Sequence, residues 1–70
     1  MQISARNQLR GTIKNIKFGS VMAEVTVNLP DGQELVSAIT RTSAESLGLQ
    51  NGDTIIAIIK STEVMLGKNA

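Results

Sequence analysis

Between Val21 and Leu29 the chain alternates apolar and other side chains without a break, V-M-A-E-V-T-V-N-L. Val21, Ala23, Val25, Val27 and Leu29 fall on one face, and Met22, Glu24, Thr26 and Asn28 on the other. A period of two is that of a strand with one buried face. Pro30-Asp31-Gly32 supplies turn chemistry, and Glu34 to Thr40 resumes an extended pattern through Leu35, Val36, Ala38 and Ile39. The two segments predict a β-hairpin.

Upstream, Leu9 to Phe18 carries Leu9, Gly11 and Ile13, and then Ile16. The alternation slips by one between Ile13 and Ile16, which predicts a bulge or strong bend in a long first strand. Downstream of the Asn51-Gly52-Asp53 turn, Thr54 to Lys60 holds four isoleucines and one alanine and reads as a strand buried on both faces. Glu63 to Leu66 is expected to add a short final strand.

Arg41 to Leu49 breaks the β pattern and reads as a short helix. Thr42 and Glu45 have the spacing of a capping box, although Thr40 is an alternative cap. Gly48 suits the left-handed position after a helix, with Leu47 and Leu49 docking it on the sheet. The expected fold is all-β with one short helix: a small five-stranded barrel of the oligonucleotide/oligosaccharide-binding (OB) kind, over residues 1–70 as a single domain. An SH3-like barrel is the rival.

Composition narrows the chemistry. Seventy residues include no Cys, His, Trp or Tyr, and Phe18 is the single aromatic. Disulfides, thiolate metal sites, zinc triads and Ser-His pairs are therefore excluded, and an enzyme is not expected. A net charge of +1 and one aromatic ring are too little for a nucleic-acid binder, which stacks bases on rings and pairs phosphates with cations. No segment resembles a secretory signal or a membrane span, so the protein is expected in the cytoplasm. A core this small, without staples, favours oligomerisation.

Three polar clusters stand out: Ser4-Ala5-Arg6-Asn7, Thr40 to Ser43 at the start of the helix, and Lys60-Ser61-Thr62. Singly, each has a plainer reading as a solvated arm, a helix cap and a strand end. Together they supply the fixed cations Arg6 and Lys60 and several hydroxyls, with no acid inside any of them. A small dianion only accepts hydrogen bonds, so a donor-only set of this kind suits it. The scattered Asp31, Glu34, Asp53 and Glu63 give no local support for direct cation ligands.

The same segments carry a family likeness. Ser4-Ala5-Arg6-Asn7-Gln8-Leu9 with Gly11, Ser37-Ala38-Ile39-Thr40 with Ser43, Leu47-Gly48-Leu49, and Ala57-Ile58-Ile59-Lys60-Ser61-Thr62-Glu63-Val64-Met65 resemble the molbindins, small molybdate-binding proteins, in order and spacing. The resemblance implies an OB-like barrel assembled as a homo-hexamer, a trimer of dimers, with no organic cofactor needed. It implies molybdate or tungstate bound between subunits for molybdenum storage and homeostasis, with neither nucleic acid nor membrane as partner. Carried over position by position, it implies an oxyanion shell from Ser4, Arg6, Asn7, Thr40, Ser43, Lys60 and Ser61. The other reading is a structural or regulatory oligomerisation domain with weak or vestigial oxyanion sites.

Overall fold

The computed structural model describes residues 1–69. Four strands, β1 (Asn7–Phe18), β2 (Met22–Asn28), β3 (Glu34–Thr40) and β4 (Thr54–Ile59), form one antiparallel sheet in the order β3-β2-β1-β4. A single α-helix, α1 (Arg41–Ser46), connects β3 to β4 and packs on β2 and β3. The sheet curls into a half-barrel of the OB-like type.

The curl originates in β1. Its first half, Asn7 to Thr12, pairs with β4, and its second half, Thr12 to Phe18, pairs with β2. Ile13 opposes Val27, but Asn15 opposes Thr26, so Lys14 is the extra residue of a β-bulge where the alternation slips. The bulged backbone is not left unpaired. Ile13 N–H donates to Asp53 O at 2.9 Å, and Ile13 O accepts from Gly52 N–H at 2.8 Å. Lys14, thrown out of register, reaches past β2 to Glu34 Oε2 at 2.5 Å.

Gly11 sits just before the bulge, where β1 and β2 press together. A Cβ there would overlap the Val27 side chain and stand 2.8 Å from the Asn28 carbonyl oxygen. The core beneath is small: Ile13, Val25 and Val27 are buried, with Ile16, Leu29, Leu35, Ile39, Leu49 and Ile55 packed around them. Ala23 and Ala44 are the other fully buried apolar side chains. The hairpin face therefore follows the alternation from Ala23 to Leu29, whereas Val21 lies in the turn before β2 and is exposed.

Both loops use side-chain oxygens to close. In the β2–β3 turn Asp31 Oδ1 accepts from Gln33 N–H at 3.1 Å, and Gly32 takes a φ of +90°. Before β4, Asp53 Oδ2 accepts from Gln50 N–H at 2.9 Å, with Gly52 at a φ of +92°.

The structure corrects four expectations. The helix is capped by Thr40, whose side chain accepts from Ser43 N–H, rather than by Thr42. Gly48 (φ +61°) closes it as expected, with Gly48 N–H donating to Glu45 O and Leu49 N–H to Ala44 O, the Schellman pattern. Leu49 packs on the core, but Leu47 is 70% exposed because it stands at the helix C-cap, on the rim of the sheet. β4 buries only one face: α1 packs on β2 and β3 rather than over β4, so Ile56 and Ile58 remain open while Ile55, Ala57 and Ile59 turn inward.

The fourth correction concerns the chain end. Among the described residues there are four strands and no fifth. After Lys60 a 3-10 turn, Ser61–Glu63, closed by Glu63 N–H on Lys60 O at 2.9 Å, leads the chain off the sheet. Met65 and Leu66 are left 92% and 94% exposed. An apolar trough of about 350 Å³ also stays open, its lining including Val36, Leu47, Ile56 and Ile58.

Two outcomes follow from this packing. Gly11→Ala should destabilise the fold by about 1–3 kcal/mol, because the Asn28 backbone must move to admit the methyl group; urea unfolding measures it. The hydrogen bonds from Gln33 hold the Asp31 carboxyl below its ordinary value of 3.8. Its contribution to stability is then present above pH 3.8 and disappears as pH falls through the lower folded-state value. A carboxyl titration followed by NMR should place the Asp31 midpoint below that of a model peptide.

Candidate functional site

The register of the sheet decides which polar clusters meet. Asn7, the first residue of β1, opposes Ile59, the last of β4. Arg6 and Lys60 are the next residues outward on each strand, so the first and third clusters share one end of the sheet. Ser4 precedes Arg6, and Ser61 opens the 3-10 turn beside Lys60. All five side chains belong to one neighbourhood of one subunit, with Asn7 half-buried and Ser4, Arg6, Lys60 and Ser61 exposed.

No carboxylate among the described residues pairs with the charge at this end. Among the described residues the ion pairs are Lys14–Glu34 and Arg41–Glu45. Arg6 and Lys60 take part in neither. Glu63 lies in the same 3-10 turn but pairs with neither cation. Two cations flanking a strand pair, with hydroxyls from Ser4 and Ser61 nearby, form a donor-rich surface open to an anion.

The second cluster lies at the other end. Thr40, the last residue of β3, opposes Met22, and the next residue of β2, Ala23, opposes Phe18 at the far end of β1. β1 is 12 residues long. Along the sheet, Thr40 and Ser43 therefore lie at the opposite end of β1 from Arg6 and Lys60. One subunit thus brings together the first and third clusters and leaves the second at the other end of the sheet.

The hydroxyls of this second cluster are ordered by their own hydrogen bonds. Thr40 Oγ1 accepts from Ser43 N–H at 3.0 Å and donates to Ser43 Oγ at 2.7 Å. This relay uses the Thr40 proton internally and leaves the Ser43 hydroxyl proton available to a ligand. With six residues, α1 is too short for its dipole to count for much, so the hydroxyls matter more than the helix end. Among the described residues no group of three or more His, Cys, Asp or Glu side chains converges on a point.

Sequence reasoning missed Arg41. It is anchored to the β1–β2 turn by Arg41 N–H on Val21 O at 2.8 Å and by Nη1 on Gly19 O at 3.2 Å, with its guanidinium 5.5 Å from the Phe18 ring centre. The lone aromatic beside a helix whose first residue is Arg was the available signal.

Comparison with known proteins agrees with this architecture. The TOBE domain family model matches residues 3–66. Molybdenum-pterin-binding protein 1 of Clostridium pasteurianum is 44% identical over 66 residues, covering 94% of this chain and 97% of the relative. The solved structure of a molybdate-binding protein from Sporomusa ovata superposes with a TM-score of 0.91 at 44% identity, covering 97% of this chain and 100% of that one. The cytoplasmic molybdate-binding protein ModG, solved with molybdate bound, matches with a TM-score of 0.83 at 44% identity over 87% of this chain and 43% of its own. The chain belongs to the TOBE domain family, among its small molbindin-type members.

The cap geometry gives a direct outcome. Thr40→Val removes the acceptor for Ser43 N–H and should lower the stability of the unliganded protein by about 1 kcal/mol, read from thermal or urea unfolding.

Proposed function

We propose that the protein binds molybdate, and tungstate with it, at sites shared between subunits, and that it serves as a non-catalytic cytoplasmic molybdenum store. The observation that carries this reading is the pair Arg6 and Lys60, brought to one end of the sheet with Ser4, Asn7 and Ser61 and with no acid among the described residues paired to either. A tetrahedral dianion supplies the missing charge and accepts every hydrogen bond these groups offer. The 44% identity to a molybdenum-pterin-binding protein and to a molybdate-binding protein supports molybdate as the dianion.

Sharing follows from the separation of the clusters. A single subunit offers Arg6 and Lys60 at one end and Thr40 and Ser43 at the other, so a full shell needs the second half from a neighbour. The open trough and the exposed Met65 and Leu66 favour the same association, because both leave apolar surface that a second copy covers. A homo-hexamer arranged as a trimer of dimers meets both needs. Molybdate and tungstate share charge and tetrahedral shape, so these donors scarcely separate them, whereas the smaller sulfate fits the same shell loosely.

Calorimetric titration with molybdate, tungstate and sulfate tests the reading. Molybdate and tungstate should bind and sulfate should bind more weakly; silence toward all three leaves an oligomerisation domain with vestigial sites. Arg6→Ala or Lys60→Ala should each cost about 2–5 kcal/mol of molybdate affinity, because each leaves buried ligand charge without its partner. Ser43→Ala removes a single hydroxyl donor and should cost less, about 0.5–1.5 kcal/mol.

A further inference from the structure

The Thr40–Ser43 cap lies on a helix that has little of its own to hold it. α1 is six residues long and buries one side chain, Ala44. Helices of this length are unstable alone, so the geometry of the cap depends on ties to the rest of the fold. Arg41 provides them. Its backbone N–H and its Nη1 both donate to the β1–β2 turn, at Val21 O (2.8 Å) and Gly19 O (3.2 Å). Its Nε faces Glu45 Oε2 at 3.5 Å, one helical turn on. Its Cζ stands 5.5 Å from the centre of the Phe18 ring.

Phe18 is about half exposed and lies outside the core cluster, so its ring is not there to fill the interior. What it offers is a flat face for the guanidinium, a favourable contact in its own right. Glu45 offsets the charge of Arg41, which leaves the residue poorly suited to attract an anion from a distance. Its contribution is geometric.

We propose that Arg41 is a positioning residue for the oxyanion site. By clamping the first turn of α1 to Phe18 and Gly19, it holds Thr40 and Ser43 in the arrangement that frees the Ser43 hydroxyl proton for the ligand. The proposal rests on the reading that Thr40 and Ser43 form one half of the shell, and the test separates the two.

The full-length protein is examined by NMR hydrogen exchange at the Ser43 amide and by calorimetry with molybdate. Arg41→Met should speed Ser43 exchange and weaken molybdate binding, each about three- to tenfold, with the oligomeric state unchanged. Phe18→Leu should shift both in the same direction by less. Arg41→Lys, which keeps the charge but loses the planar fork, should behave like Arg41→Met. In a Ser43→Ala background, Arg41→Met should change affinity less than about twofold, because the clamp then has no hydroxyl to position. Unchanged Ser43 exchange or affinity in Arg41→Met, full affinity in Arg41→Lys, or an undiminished effect in the Ser43→Ala background would each overturn the proposal. Accelerated Ser43 exchange in Arg41→Met beside a wild-type protein that binds no molybdate would overturn the oxyanion reading while leaving the clamp intact.

Discussion

Four strands can enclose a core only if the sheet coils tightly, and the close approach of β1 to β2 at Gly11 sets how tightly. The methyl group that any other residue brings there meets the Val27 side chain and the Asn28 carbonyl. Three residues on, the Lys14 bulge adds the bend, and the backbone it disrupts is satisfied by Gly52 and Asp53 from the loop before β4. That loop is thereby fixed to the inside of the bend, which sets where β4 begins and hence where it ends. Because β4 ends beside the start of β1, Lys60 comes to stand next to Arg6. The position of the two cations is thus a consequence of coil geometry half a strand away.

The same geometry separates the hydroxyl cluster from the cations. β1 is the element common to both, and it runs the length of the sheet between them. A long first strand gives a small chain its curvature and puts the two polar clusters at its opposite ends. The proposed shared site resolves this, since a neighbour needs only to bring its Thr40 end to the Arg6 end. In that proposed contact the open trough and apolar chain end would supply the hydrophobic drive, and the polar ends its register.

Much of the fold was legible in the chain itself. The hairpin from Met22 to Thr40, the slip after Ile13 and the Gly48 helix end all appear where periodicity and turn chemistry place them. The errors over β4 and the chain end share a cause. Val64, Met65 and Leu66 look like a strand because they are apolar, and Ile56 and Ile58 look buried for the same reason, yet all five meet solvent in a single subunit. Local pattern records that a side chain is apolar, not whether its own chain covers it. The three polar clusters were visible as donor-rich segments, but which of them meet depends on the pairing of Asn7 with Ile59 and of Thr40 with Met22, long-range contacts that no local pattern encodes. Arg41 escaped notice because its role lies in contacts to Phe18 and Gly19, more than 20 residues away.

Complementation between two defective variants tests the central claim, that each oxyanion site is assembled from two subunits. Arg6→Ala keeps the hydroxyl half, and the double variant Thr40→Val, Ser43→Ala keeps the cationic half. Coassembled in equal amounts, they should regain tight molybdate binding at about one site in four, since each half is intact in half of the subunits and pairing across the interface is random. Neither variant alone should bind tightly. A coassembled protein that binds molybdate no better than its two parents would contradict the shared site.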